Sequence, residues 1–199
     1  SFPMFYATGM MAFVAYVRLQ QSISKAITYS RPLLHFPAVT LFDALAARFL
    51  VALVTHGMVM LIVLSSMTVI FETRVVIDPY SIFMAVSMAA ALGLGIGTLN
   101  ALLMPMFPIY AAMWGILTTP LFFMSGILYL YEELPSSGQS ILWYNPLVHV
   151  TAMMRRGFYA QYDGSFVYPG YVFAISAVLF LVGYILLARN YRAIVDQSF

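Results

Sequence analysis

The sequence predicts an all-α membrane protein, with residues 1–199 forming a single transmembrane domain. Apolar residues make up 63% of the chain and charged residues only 8%, whereas about a quarter of the residues in a soluble domain are charged. Several stretches also approach or exceed the roughly 20 apolar residues that a spanning helix needs. The net charge of +2 is too small to indicate a nucleic-acid partner, and the absence of cysteine excludes disulfides and thiolate metal sites.

Five stretches are predicted to span the bilayer, with short or polar breaks between them. They cover residues 2–17, 49–71, 80–104, 109–129 and 171–188. The breaks are a polar interval at 18–48, a charged turn at 72–79, an uncharged turn at 105–108, an aromatic-rich interval at 131–168 and a polar tail at 189–199.

The distribution of basic residues predicts the orientation of the chain. One side would carry Arg18, Lys25, Arg31, Arg48, Arg189 and Arg192. The other side would carry Arg74, Arg155 and Arg156 with the acids Glu72, Asp78, Glu132, Glu133 and Asp163. Because basic loops favour the cytoplasm, the 18–48 segment and the 189–199 tail are predicted to be cytoplasmic. An odd number of spans then places residue 1 outside, so a cytoplasmic N-terminus would require one further helix before residue 2.

The 18–48 interval contains a predicted short amphipathic helix at residues 20–29. Ile23 and Ile27 would share its apolar face. Pro32 and Pro37 are expected to end helical structure after it. Such a helix suits docking of a cytoplasmic partner, and an ordinary amphipathic loop helix is the alternative.

Within the 80–104 helix, Gly93 and Gly97 have the spacing that lets two membrane helices approach closely. Asn100, in the same helix, is a polar group that needs a partner. Close helix packing is the favoured interpretation, and a channel wall is the alternative.

Residues 143–162 are predicted to form a helix too short to cross the membrane. Asn145 and Pro146 are typical of an N-cap and first helical position, and Gly157 lies near a plausible end. Together with the region before it, this segment predicts a re-entrant or interfacial hairpin. Irregular backbone at membrane depth must be covered by protein or water, so the hairpin is expected to line a wet space.

Aromatic side chains cluster on the predicted outer side, at Tyr129, Tyr131, Trp143, Tyr144, Phe158, Tyr159, Tyr162, Phe166, Tyr168 and Tyr171. They are typical of an interfacial aromatic belt, and surfaces on which sugar rings stack are the alternative.

Enzyme signatures are incomplete, so no catalytic residues are predicted. Lys25 with Arg31 and Pro32 falls one residue short of the lipid-phosphatase spacing. No phosphate-binding G-x-x-x-x-G-K-[ST] loop occurs, which indicates that the chain does not itself hydrolyse ATP. The three histidines are too dispersed to predict a metal site. A transporter subunit that draws its energy from a partner fits these observations.

Two runs, FPIYAAMWGILTTPLFFMSGILYLYEELP at 107–135 and WYNPLVHVTAMMRRGFY at 143–159, carry a family resemblance. They resemble the ABC-2-type (type V exporter) membrane subunits of polysaccharide exporters, and most closely the capsular polysaccharide export permeases of Gram-negative bacteria. The matching elements are the Phe-Pro at 107–108, the P-L-x-F-x-S segment at 120–125 and the N-P-L-V-H run at 145–149. Members of that family have six spans preceded by an amphipathic helix, so five visible spans of six are expected here.

The resemblance implies two sets of site residues. The ATPase-coupling set in residues 20–36 and their flanks is Arg18, Gln21, Lys25, Tyr29, Arg31, Pro32, Leu33 and His35. The polysaccharide channel or gate set, around periplasmic gate helices within 131–168, is Tyr129, Trp143, Tyr144, His149, Arg155, Arg156, Tyr159 and Tyr162. Arg155 and Arg156 would guide an anionic polymer, and compensation of helix C-terminal charge is the alternative.

The resemblance further implies a multi-pass protein of the bacterial inner membrane that moves lipid-linked capsular polysaccharide among membrane lipids. Its partners would be a second permease copy, two nucleotide-binding ATPase subunits holding ATP and Mg, and a periplasmic co-polymerase adaptor; no cofactor is expected in this chain. The alternatives are export of O-antigen, teichoic acid or a small lipophilic substrate. A membrane-embedded glycosyl- or phosphotransferase built on Glu132, Glu133, His149 and Asp163 is the alternative of another class.

Overall fold

The computed structural model describes residues 2–36, 38–70 and 77–196. All regular secondary structure in these ranges is helical, in agreement with the predicted all-α class. The elements are α1 (Phe2–Ser24), α2 (Ala26–Leu34), α3 (Leu41–Ile70), α4 (Pro79–Met106), α5 (Pro108–Met124), a 3-10 turn (Tyr131–Glu133), α6 (Ser136–Leu142), α7 (Pro146–Arg156) and α8 (Pro169–Val195). Pro37, Glu72 and Arg74, which entered the predictions above, lie outside the described residues.

Three of the described helices, α3, α4 and α8, are long and apolar enough to cross a membrane. Helix α5 is apolar but has only 17 residues. Helix α1 has 23 residues and is not among the three. The chain is therefore a multi-pass helical membrane domain, and the count of five or six spans stays a prediction.

Helix α4 is the centre of the bundle, because it packs against α1, α7 and α8. The main core lies between these helices and includes Tyr16, Met88, Leu92, Met154 and Val172, all of which are buried. Many outward-facing side chains of α3, α5 and α8 are apolar and exposed, as expected for surfaces that contact lipid tails.

Helices α1 and α2 differ from the predicted layout. Helix α1 continues through Ser24, a break occurs at Lys25, and α2 then runs to Leu34. The predicted single helix at 20–29 is therefore wrong in its bounds. The apolar face of α1 extends through Leu19 and Ile23, both buried, so packing keeps this segment helical beyond Arg18.

Pro32 does not end the helix as predicted, since it lies inside α2. Its ring is exposed, and in a nine-residue helix its missing N–H removes a single backbone hydrogen bond. Pro105 is likewise inside α4, in its last turn, so the predicted turn at 105–108 shrinks to Phe107 between α4 and α5.

Three further helix boundaries differ from the predicted ones. Helix α3 begins at Leu41 rather than near 49, because Thr40 and Asp43 form a reciprocal cap: the Asp43 Oδ2 accepts from the Thr40 N–H at 2.8 Å, and Thr40 Oγ1 accepts from the Asp43 N–H at 3.2 Å. Helix α5 ends at Met124, five residues before the predicted 129. Helix α8 continues to Val195, so most of the predicted tail is helical.

Candidate functional site

The predicted site residues lie at two ends of α1. Ile23, near its C-terminus, packs with α2 and α8, whereas Phe5 and Gly9, near its start, lie against Arg155 of α7. We refer to these as the α2 end and the α7 end of the bundle. A helix of 23 residues is roughly 35 Å long, so the two ends are separated by about the thickness of a bilayer core.

At the α2 end, α2 is anchored by one face and exposed on another. Ala26 and Ile27 are fully buried in a cluster that includes Leu45 and Leu187. Tyr29, Leu33 and Phe36 follow one another at spacings of four and three residues and are all exposed, so they form one apolar stripe. We call these three residues the α2 stripe.

The other predicted coupling residues surround this stripe. Gln21, Lys25, Pro32 and His35 are exposed, and Arg31 is half-buried. Arg48, at the start of α3, places its guanidinium 4.6 Å from the centre of the Tyr29 ring, which is a cation–π contact. Arg18 is exposed on α1 and lies close enough to His56 of α3 to act on it electrostatically.

The predicted packing residues lie where α4 meets α1. A Cβ atom added to Gly97 would lie 2.8 Å from Ile23 Cβ, and one added to Gly93 would lie 2.9 Å from Leu19 Cβ. Asn100 is buried, and its Oδ1 accepts a hydrogen bond from the Tyr110 hydroxyl of α5 at 2.6 Å. The glycines therefore place α1 in backbone contact with α4, and Asn100 connects α4 to α5.

At the α7 end, polar side chains of α7 and its N-cap hold the segment at 124–129. Asn145 caps α7 by accepting from the Leu147 N–H at 3.0 Å, and its Nδ2 donates to the Met124 carbonyl at 2.9 Å. Thr151 Oγ1 donates to the Ser125 carbonyl at 2.7 Å. The cap was predicted from the sequence, but Thr151 was missed, because a mid-helix threonine carries no signal for a partner 26 residues away.

Arg155 completes this connection and is deeply buried, with 2% of its surface exposed. Its Nη2 donates to the Ile127 carbonyl at 2.6 Å and its Nη1 to the Tyr129 carbonyl at 2.9 Å. The guanidinium carbon lies 3.8 Å from the centre of the Phe5 ring. Burial lowers the pKa of Arg155 to about 10, so the side chain is still charged at neutral pH.

The two arginines that were predicted to guide an anionic polymer lie in different environments. Arg156 is exposed, because consecutive helical positions point about 100° apart. Arg156 instead lies near Asp78, the N-cap of α4. The pKa of the Asp78 carboxyl is lowered chiefly by the hydrogen bond from the Ser81 hydroxyl. The charge of Arg156 lowers the same pKa more weakly.

His149, which was predicted to belong to the channel or gate set, has a fully buried side chain. Its Nδ1 accepts from the Tyr168 N–H at 3.2 Å, which leaves Nε2 to donate to the Trp143 carbonyl at 2.8 Å. Burial lowers the pKa of the His149 imidazole. A neutral His149 therefore joins the end of α6 to the start of α8.

The remaining gate residues vary in exposure. Tyr144 is exposed, whereas Tyr129, Trp143, Tyr159 and Tyr162 are half-buried. The Tyr162 hydroxyl lies 3.4 Å from a Glu132 carboxylate oxygen, and burial raises the pKa of Tyr162.

The four groups required by the transferase alternative do not share one environment. Glu132, Glu133 and Asp163 are exposed, whereas His149 is enclosed by aromatic rings. The ring of Phe166 lies 5.8 Å from that of His149, and it also stacks on Tyr131 at 4.0 Å.

A comparison with known protein families matches residues 3–159 to the ABC-2 type transporter family. Among curated proteins, the chain is 24% identical over 183 residues to the polysialic acid transport protein KpsM of Escherichia coli, covering 92% of this chain and 71% of that protein. It is 22% identical over 172 residues to the capsule polysaccharide export inner-membrane proteins CtrC of Neisseria meningitidis serogroup A and BexB of Haemophilus influenzae, covering 86% of this chain and 65% of each relative.

Proposed function

Because the chain belongs to the ABC-2 type transporter family, we propose that it is the membrane-spanning permease subunit of an ATP-driven exporter of capsular polysaccharide. The names of the relatives KpsM, CtrC and BexB, which describe polysaccharide transport or export, support this assignment. In this proposal the chain is a multi-pass protein of the bacterial inner membrane, and the exported polymer is lipid-linked.

The observation that carries the proposal is the α2 stripe. Helix α2 is fixed to the bundle through Ala26 and Ile27, while Tyr29 and Leu33 of the same helix, and Phe36 just after its end, are exposed. Apolar patches edged by polar residues mark protein interaction sites, and Lys25 and His35 lie beside this one. A nucleotide-binding ATPase subunit docking here would transmit its closure to α1 and α3, which contact α2.

The complete transporter in this proposal has a second permease copy, two ATPase subunits that bind ATP and Mg, and a periplasmic co-polymerase adaptor. Its channel would lie between the permease copies, since closed two-fold assemblies are the commonest oligomers. Helix α5 offers a surface for the second copy, because none of its side chains is buried within one chain. Of the gate residues, Tyr144 and Arg156 are the exposed ones and therefore the positions at which passing polymer would first meet this chain.

The test compares two tyrosines of equal exposure at opposite ends of the bundle. Tyr29 is 60% exposed in the α2 stripe, and Tyr168 is 61% exposed at the α7 end. Tyr29→Glu should prevent co-purification of the ATPase subunit and should remove polysaccharide from the cell surface. Tyr168→Glu should leave the complex intact, because the contact between Tyr168 and His149 uses the backbone N–H. Equal ATPase recovery with both variants, at equal permease levels, would refute docking on the stripe.

A further inference from the structure

Beside Arg155, the α7 end contains a cleft. The cleft has a volume of about 310 Å³ and is lined by Phe5, Leu130, Arg155, Tyr159, Gln161 and Tyr162. Small-molecule sites have volumes of roughly 300–1,000 Å³, so this cleft is large enough for one small ring and too small for a folded length of polymer.

The cleft borders a buried positive charge without a matched anion. Among the described residues, the guanidinium of Arg155 contacts two backbone carbonyls and the Phe5 ring. Carbonyl groups are dipoles and carry no net charge, and a buried cation is costly unless an anion compensates it. Glu132 is the acid that acts on Arg155, but it is exposed and lies nearest to the Tyr162 hydroxyl.

Two polar atoms of residues that line the cleft also lack partners in the described part of the chain. They are Nε of Arg155 and the hydroxyl oxygen of Tyr159, both of which are buried. A buried donor without an acceptor costs the desolvation of that group. Each of these groups can donate a hydrogen bond to an oxyanion, and a charge-assisted bond to a guanidinium is among the stronger hydrogen bonds in proteins.

The remaining walls indicate what carries the oxyanion. Phe5, Tyr159 and Tyr162 supply aromatic rings, and Leu130 supplies an aliphatic surface. Aromatic faces suit the C–H faces of a sugar ring, whereas Gln161 and the tyrosine hydroxyls can meet its hydroxyl groups.

We propose that this cleft is a subsite for a single acidic sugar unit, with the carboxylate directed at Arg155 and Tyr159 and the ring held between the aromatic walls. The proposal deepens the export function above and rests on it. It assigns Arg155 a different task from the one predicted at first: the side chain is a fixed charge at the back of a one-unit cleft, and it is not half of an exposed basic pair.

The experiment measures binding of methyl glucuronoside to the permease–ATPase complex in phosphatidylcholine nanodiscs by saturation-transfer NMR. Methyl glucoside, which lacks the carboxylate, is the matched neutral probe. We expect methyl glucuronoside to bind at least about tenfold more tightly than methyl glucoside, because one charge-assisted hydrogen bond contributes about that difference in affinity. Equal binding of the two sugars would refute the assignment of an acidic unit.

Two variants separate binding from folding. Tyr159→Phe removes a hydroxyl that bonds to nothing in the described structure, so the complex should assemble normally and bind methyl glucuronoside several-fold more weakly. Arg155→Gln should abolish the preference for the acid, although it also removes bonds to Ile127 and Tyr129. Tyr168→Phe, an exposed tyrosine outside the cleft, should leave binding unchanged. Wild-type affinity in Tyr159→Phe would overturn the proposed contact.

A lipid phosphate is the competing source of the oxyanion. Nanodiscs containing phosphatidylglycerol should leave the affinity for methyl glucuronoside unchanged, and loss of sugar binding in them would overturn the sugar assignment. Failure of this subsite is distinguishable from failure of the export function, because ATPase co-purification and surface polysaccharide are measured in the same strains. Normal export without any preference for the acidic probe would reject the subsite alone.

Discussion

Replacing Gly95 with alanine tests whether backbone contact between α4 and α8 holds the bundle together. A Cβ atom at this position would lie 2.6 Å from the Ser176 carbonyl oxygen and 3.3 Å from Leu179 Cβ. The first of these neighbours is backbone, so a rotamer change cannot relieve the overlap and α8 must move. From the other side, a Cβ on Gly183 of α8 would lie 2.8 Å from the backbone nitrogen of Leu99 in α4, which leaves little room for α8 to slide.

The expected cost follows from two opposing effects. Overpacking a well-packed interior costs about 1–3 kcal/mol, and alanine favours a helix over glycine by about 0.5–1 kcal/mol. The free energy of unfolding should therefore fall by up to about 2.5 kcal/mol in Gly95→Ala. The matched control is Gly115→Ala in α5, where no described atom lies within 4 Å of the added Cβ. The control should be neutral or slightly more stable than the wild type.

The assay is thermal unfolding of the purified permease in detergent, followed by far-UV circular dichroism of its helices. A change of 1 kcal/mol corresponds to roughly 2–4 °C in Tm for a chain of this size, so Gly95→Ala should unfold up to about 10 °C below the wild type. Gly115→Ala should unfold at or above the wild-type temperature. If both alanine variants unfold at the same temperature, close approach of α4 and α8 does not stabilise the fold, and the packing described here is wrong.

Two further predictions concern the α7 end. Asn145→Ala removes the N-cap of α7 and the bond to the Met124 carbonyl, so it should lower the free energy of unfolding by about 1–3 kcal/mol. Asn190→Ala, whose amide bonds only within its own helix, should change it far less, and equal losses would contradict this reasoning. The lowered pKa of His149 means that the unfolded chain takes up a proton first as pH falls below about 6.5, so the wild type should lose more Tm than His149→Gln between about pH 7.5 and pH 5.5. Parallel losses in the two proteins would show that the contact between His149 and the Tyr168 N–H is not sensitive to protonation.

Hydropathy predicted where the long helices occur, because runs of apolar residues report directly on burial or lipid contact. It could not predict where they end. The cap formed by Thr40 and Asp43 is visible in the sequence, but Thr40 lies nine residues before residue 49, where the apolar run that indicated α3 begins. Pro32 was predicted to end helical structure, but a proline in a short exposed helix removes only one backbone hydrogen bond.

At the candidate site, the sequence predicted the start of α7 but not which of its side chains are buried. The Asn145-Pro146 cap identified α7, because capping is a local property of neighbouring residues. The burial of Arg155 and the exposure of Arg156 depend on which face of α7 meets the segment at 124–129, and local spacing does not specify that face. The burial of His149 was not predictable for the same reason, since its partner Tyr168 lies 19 residues further along the chain.

The attachments of α5 suggest how a displacement would reach the cleft. Glycines bring α4 into backbone contact with α1 and α8, so these three helices form the part of the bundle least able to move internally. Helix α5 has no buried side chain of its own; it follows α4 after Phe107, and its Tyr110 hydroxyl donates to Asn100 of α4. Its far end continues into the 124–129 segment, which α7 and its N-cap hold by hydrogen bonds. A tilt of α5 about Phe107 must therefore either break those bonds or displace α7, and displacement of α7 moves Arg155 against the Phe5 ring of α1. A displacement of α5 therefore reaches the cleft if the helices stay rigid and these hydrogen bonds stay intact. Packed helices and hydrogen-bond networks of this kind carry the energetic coupling between distant sites.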